Sequence, residues 1–278
     1  MKKFCLFFLL FSIVSNAQTH RFIYEYRFKS DSLAKEFTKE NMILDINPEE
    51  VKFYPYFFAE NDSINKTTNN RNSSWDDALP VLKRNRNANK NTSYVLLNDL
   101  FRIQTEDPIH WNLSTETKEV GNYHLQKATT TFGGRNWVAW FNTEITLSEG
   151  PYKFRGLPGL IFEVADDQNY FSFNLVKSYQ LKSTYDTSEF LESFAGQKAI
   201  PITEKLLLKK QIELFNDPLQ DFKENFKNSK GEGSFSVMGI KIKTLDQFKE
   251  LTAMTQERMR KDNNPIELDK AIQYPKSK

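Results

Sequence analysis

Cysteine is all but missing from this chain: Cys5 is the single one in 278 residues. One thiol cannot close an intrachain disulfide. Stability has to come from buried apolar area, for which 24 phenylalanines in a 39% hydrophobic composition are ample material. Histidine is nearly as scarce, at three residues, His20, His110 and His124. With no His-Glu-x-x-His pair and no cysteine cluster, a transition metal has no ready ligand set, and no metal or other cofactor is expected. Neither sign of charge dominates, since 38 basic residues face 36 acidic ones. A chain this close to neutral has no long-range field to draw in nucleic acid, and no such partner is expected. A Gly-x-Ser-x-Gly elbow, a phosphate-binding glycine loop and a dinucleotide fingerprint are all absent, which leaves no catalytic residue to nominate.

Apolar stretches of membrane-spanning length, about 20 residues, are absent too. The one pronounced run, Phe4 to Val14, follows Lys2-Lys3 and ends at the small residues Ser15-Asn16-Ala17. That is the layout of a secretory signal peptide, residues 1–17, with cleavage expected after Ala17. Cleavage removes Cys5 and two lysines, so the mature chain balances its charges. Cys5 lies inside the apolar run and not at the cleavage point, which argues against a lipid anchor. The expectation is an exported protein without a transmembrane segment, either periplasmic and outer-envelope associated or secreted, in which residues 18–278 form a single domain.

What is present is mostly the alternation of strands. In residues 20–29, Phe22, Tyr24, Tyr26 and Phe28 alternate with His20, Ile23, Glu25 and Arg27, the period of two of a strand. Residues 41–46 and 51–58 read as a strand pair turning at Asn47-Pro48. Residues 59–92 are crowded with asparagine, lysine, arginine and serine. A polar Asn-rich loop with one anchored turn near Trp75 is expected there. From Tyr94 to Ser178, short apolar segments are separated by turn chemistry such as Gly133-Gly134 and Asp166-Asp167. Joints this short favour antiparallel pairing. The fold class expected is therefore mainly β, an antiparallel meander forming a curved sheet or incomplete barrel. Helical signals at Glu204–Phe215, after Asp217-Pro218, and after Thr244-Leu245-Asp246-Gln247 place covering α-helices at the C-terminal end.

One hexapeptide stands out, Gly156-Leu157-Pro158-Gly159-Leu160-Ile161. Proline at the second position of a turn and glycine at the third predict a type II corner, with Leu160 feeding a following strand. Two readings stand: a structural corner whose aliphatics close one end of the core, or an exposed apolar lip on a cleft or partner surface. Under the second, the candidate binding residues are Leu157, Pro158, Gly159 and Ile161 of the corner, with Arg135, Trp137, Trp140 and Arg155 nearby. Lys127, Arg135, Glu144, Arg155 and Glu163 form a polar set beside the aromatic strands. It would act as an ion-pair network fixing strand register or as the rim of an apolar pocket.

These residues also carry a resemblance. Trp111-Asn112-Leu113, Gln126 to Thr130, Phe132-Gly133-Gly134-Arg135, Trp137, Trp140-Phe141, Gly150-Pro151, Phe154, the hexapeptide and the closing Asn263-Asn264-Pro265-Ile266-Glu267-Leu268 resemble the GLPGLI family of exported Bacteroidota proteins. His124-Leu125 stand where that family commonly has a cysteine, so any thiol role there is absent. The resemblance implies an envelope protein of unknown molecular function, and an outer-membrane receptor or envelope protein as partner. The function expected is a non-enzymatic accessory module binding a partner or a hydrophobic small ligand. A hydrolase without a recognisable motif and a purely structural envelope protein are the alternatives.

Overall fold

The computed structural model describes residues 19–68, 70, 72–86, 88–229 and 235–276; the expected signal peptide lies outside the described residues. The alternating segment at its start is β1, Thr19–Phe28. β2 (Thr38–Ile46), β3 (Glu50–Pro55), β4 (Val81–Asn85), β5 (Lys90–Leu96) and β6 (Leu100–Glu106) follow as one antiparallel meander. β7 (Asn112–Val120), β8 (Tyr123–Phe132), β9 (Arg135–Asn142), β10 (Leu160–Asp166) and β11 (Phe171–Leu181) make a second. Pairing of β1 with β11 along its whole length joins the two meanders. The minor strands are β12 (Ser193–Phe194), β13 (Gln197–Lys198) and β14 (Ile200–Pro201); β14 lies parallel to β6 and completes a sheet of 12 strands. The sheet is thus mixed by that one short parallel contact.

β6 and β7 sit toward opposite edges of this sheet, yet only residues 107–111 connect them. Such a link spans at most about 20 Å. The sheet therefore curls until its edges approach one another, and since no strand pair joins them it stays an open, incomplete barrel. Inside the curl lies the main core, with Phe22, Tyr24, Tyr26 and Phe28 of β1 packed among Phe53, Phe141, Trp137 and Phe173.

The other face is not uniformly wet. Over the first meander, Ile23, Ile43, Tyr54 and Val81 are sealed by helix α1 (Tyr56–Thr68) and by Phe190 and Leu191. Over the second, β7 is exposed along most of its length.

The expected strand over 51–58 stops at Pro55, and the expected loop over 59–92 holds a helix and a strand. Tyr56-Phe57-Phe58 anchors α1, whose polar remainder extends to Thr68. Farther along, Val81, Leu82 and Arg84 are buried as β4. Counting polar residues misjudged this segment because three buried side chains and a buried ion pair are enough to seat a five-residue strand.

Helices α2 (Glu204–Asn216), α3 (Gln220–Asn228) and α4 (Gln247–Lys261) occupy the C-terminal part as expected. Thr203 caps α2 by accepting the Leu206 N–H at 3.2 Å. Asp217, expected to open a helix, instead closes α2. Ahead of α4 the Gln247 side chain accepts the N–H groups of Lys243 and Thr244. Between α3 and α4, β15 (Phe235–Val237) and β16 (Ile240–Ile242) form a hairpin with its own small core around Phe248 and Leu251.

Candidate functional site

The connection between β9 and β10, residues 143–159, runs through the inside of the curl and acts as a plug. Its Tyr152, Phe154 and Leu157 are buried in the main core. Its backbone folds on itself and onto β10, with Gly156 N–H on Ser148 O (3.1 Å), Leu160 N–H on Ile145 O (3.2 Å) and Ile161 N–H on Glu149 O (3.0 Å). In the hexapeptide, Gly159 N–H donates to Leu157 O at 2.8 Å. This three-residue turn centred on Pro158 replaces the expected type II turn. Glycine is needed at 159 because a Cβ there would lie 1.9 Å from Asn142 O. Leu157, Gly159, Leu160 and Ile161 are buried, and the Tyr24 hydroxyl donates to Ile161 O at 2.6 Å. Gly156 and Pro158 are the exposed residues of the corner. The structural reading of the corner is the one its burial supports, and the exposed apolar lip does not form.

The charges of the plug reach the opposite wall. Glu149 pairs with Arg84 of β4. Lys153, 2% exposed, lies 3.0 Å from Asp107 after β6 and 2.7 Å from Glu267. Arg155 donates to the carbonyls of Arg86 (3.1 Å) and Ala88, while its own carbonyl accepts Trp111 Nε1–H at 2.8 Å. These contacts tie the plug to β4, to the end of β6, to the β6–β7 link and to the segment after α4. Burial pushes the Tyr152 hydroxyl up, reinforced by Glu267, to which it donates. Burial alone would also raise Asp107 and Glu267. Thr105, Asn91 and Lys153 around the first, and Lys153, Lys270 and Tyr152 around the second, outweigh it, so both carboxyls sit below their ordinary values.

Below the plug, residues 263–270 dock on the β8–β9 turn. Arg135 donates to Asn264 Oδ1 (2.5 Å), Pro265 O (2.9 Å) and Ile266 O (3.2 Å), and lies 3.3 Å from Asp166. Gly133 and Gly134 leave room for this chain; a Cβ at 133 would come within 2.9 Å of the Glu267 Cα. Because their folded values are depressed, the Glu267 and Asp107 ties are at full strength above the unfolded carboxylate range and weaken as pH falls through the folded values. Replacing Glu267 by Gln should therefore lower stability most above about pH 5, and the gap to the parent chain should close below about pH 4. Urea unfolding at several pH values checks this; a gap that widens on acidification contradicts it.

Beside the docked segment, a half-open cleft of about 980 Å³ separates the end of the sheet from the C-terminal helices. Tyr26, Phe28 and Phe171 touch its floor, Leu214 of α2 and Met259 of α4 its roof, and Ile266, Ile272 and Tyr274 one side. Asp76, Asp77, Arg258 and Lys270 also line it. Its volume is at the upper end of the range of small-molecule sites, about 300–1,000 Å³.

Of the residues nominated from sequence, Trp137 is core, its ring 4.6 Å from that of Phe154, and Arg135 is a buried clamp. Neither lines the cleft. Trp140 lies on the outer face, in one row with Lys127 of β8 and Glu163 of β10. Lys118 Nζ is 4.5 Å from its ring centre and 2.6 Å from Glu163. Lys127 and Glu163 thus stand in a cross-strand row with Trp140 on the outer face, whereas Arg135 and Arg155 reach the interior and Glu144 is exposed. His124 pairs with Glu119 on an exposed part of the β7–β8 hairpin, while His110 precedes β7 near the hairpin's other end, so the two histidines do not meet. Neither lines the cleft. Among the described residues no group of three or more His, Cys, Asp and Glu is placed to hold a metal, and no helix is long and apolar enough to cross a membrane. The sequence reading missed Arg84, Glu149, Lys153 and Glu267. A usable signal was their position beside buried turns, in Glu149-Gly150-Pro151 and Pro265-Ile266-Glu267.

Fold and site together define a mainly β protein with an open, internally plugged sheet and a helix-roofed cleft. Residues 134–163, from the β8–β9 turn through the plug into β10, match the model of a family described as "Protein of unknown function (Porph_ging)". No curated protein matches the chain. Among solved structures it is similar to the "Structure of PNGF-II in C2 space group", at a TM-score of 0.49 and 15% identity over 68% of this chain and 32% of that one. The "Structure of PNGF-II in P21 space group" gives 0.49 and 15% over 70% and 33%. The chain spans about a third of the length of those proteins, and a likeness at this level carries no argument about activity.

Proposed function

We propose that this chain is an exported envelope protein of the GLPGLI type that binds a hydrophobic ligand in the cleft under α2 and α4 and catalyses no reaction. The observation that carries the reading is the cleft itself, where aliphatic side chains of α2, α4 and the segment after α4 face buried aromatics of the sheet among polar and charged residues. Export rests on the apolar leader Phe4 to Val14 followed by small residues. The hydrolase alternative needs a histidine meeting a carboxylate and a hydroxyl in a pocket, and the His124–Glu119 pair is on an exposed hairpin. A purely structural role is favoured by one observation, the filling of the sheet interior by the plug and its aromatic neighbours. The cleft distinguishes the two readings.

Leu214→Trp and Met259→Trp, both at half-buried roof positions, should weaken binding of a fluorescent long-chain fatty acid about tenfold with little change in melting temperature. Unaltered binding in both variants, or no binding by the parent chain, overturns the proposal and leaves the structural role.

A further inference from the structure

We infer that residues 263–274 are a releasable strap that gates this cleft; the inference rests on the cleft being a binding site. The segment leaves α4 after its cap at Asp262 and forms one side of the cleft through Asn263, Ile266, Ile272 and Tyr274. No strand pairing holds it. Its direct backbone-to-backbone ties to the sheet and its loops are Asn264 N–H to Ser30 O (3.0 Å) and Asp269 N–H to Gly133 O (3.3 Å). The rest is side-chain contact: Arg135 on residues 264–266, Asn264 Nδ2–H on Lys29 O, Glu267 on Tyr152 and Lys153, Lys270 on Glu204, Ile266 against the main core and Tyr274 stacked on Phe215 at 4.5 Å. Segments outside the strand ladders occupy the lower end of the local-opening scale.

The charge arrangement argues for reversible release more strongly than the contact type does. On the body, Arg135 keeps Asp166 and Lys153 keeps Asp107 when the strap is gone. On the strap, Glu267 keeps Lys270, 2.9 Å away. Separation therefore strands no buried ion on either side, which removes the largest cost of parting a buried salt bridge. The groove left behind is shaped for redocking, because glycine at 133 admits the strap backbone where a Cβ would come within 2.9 Å of the Glu267 Cα.

Two measurements test this. Hydrogen exchange of the full chain should show residues 263–274 exchanging at least about tenfold faster than β1 and β11, and protection as strong as in those strands overturns the proposal. A Gly134→Cys/Leu268→Cys pair in a Cys5→Ser background provides a lock, since a Cβ built at Gly134 lies 3.5 Å from the Leu268 Cβ, within disulfide reach. Oxidation should slow uptake of the fluorescent fatty acid about tenfold, with recovery on adding reductant. Equal uptake rates, locked and reduced, also overturn it. Absence of uptake by the parent chain would be a failure of the cleft reading instead, and the exchange rates would still decide the strap.

Discussion

Gly159→Ala is expected to be the most damaging single-methyl change in this protein. The added Cβ would sit 1.9 Å from Asn142 O, 2.7 Å from the Asn142 carbonyl carbon and 3.0 Å from Thr143 Cα. All three are backbone atoms, so no side chain can swing aside. The collision falls where Leu160 pairs with Asn142 to begin the β9–β10 ladder, and the glycine φ of +156° is itself outside the range that L residues adopt readily. Relief requires the plug to part from the end of β9. We expect a loss of about 3–5 kcal/mol, a large share of the stability of an ordinary domain. Gly121→Ala is the control: its φ is also positive, at +59°, but a Cβ there meets nothing within 4 Å, so only the conformational cost of about 1 kcal/mol remains. Pro158→Ala, at an exposed position, should cost less than about 1 kcal/mol. Urea denaturation of the three variants separates the explanations, and a Gly159→Ala protein as stable as Gly121→Ala would show that the close approach is not rigid.

The second large effect should come from Arg84. Its side chain is 0% exposed and that of Glu149, its partner, 5% exposed. The guanidinium also donates to Tyr152 O at 3.4 Å, and its Nε has no partner. Burial pulls the Arg84 ionisation down, and Glu149 opposes it. Arg84→Met leaves Glu149 charged and alone inside the curl, at a cost of about 3–5 kcal/mol. On a chain of this size that is a fall in melting temperature on the order of 10 °C. Arg84→Met with Glu149→Leu removes both charges and should recover most of the loss, because desolvation of an incompletely bonded pair consumes much of its attraction. Thermal melts of the two singles and the double complete the cycle. A double variant as unstable as either single would mean that the pair's own attraction, and not the avoidance of a lone buried charge, holds plug to wall, and one as unstable as the sum of the singles would mean that the two residues are not coupled.

Much of the architecture was legible because strands announce themselves locally. β1 was visible in its aromatic alternation, and the β8, β9 and β10 segments in apolar runs set off by turn residues. The expected curved sheet with C-terminal helices is the fold observed. The type II reading of Leu157 to Leu160 did not survive, although proline and glycine were correctly read as demanding a sharp bend. The partner that Gly159 packs against is Asn142, a residue outside the local sequence window. The site was far less legible. Lysine and glutamate look alike in sequence whether solvated or buried, so Lys153 and Glu267, 114 positions apart in the numbering, could not be paired before the curl brought them to 2.7 Å. The cleft was illegible for the same reason, since its floor comes from β1 and β11 and its roof from α2 and α4.

Period-two patterning, glycine and proline placement, helix capping and the scarcity of cysteine and histidine are local properties, and they determined the element types, the antiparallel meanders and the classes of chemistry left without a signature. The tertiary structure alone decided that β1 closes on β11, that the β9–β10 connection turns inward as a plug, and that charged residues from three distant segments neutralise one another there. Those outcomes follow from burying as much aromatic surface as possible while leaving few charges unpaired. That condition is set by the whole chain at once and leaves no mark on any one segment.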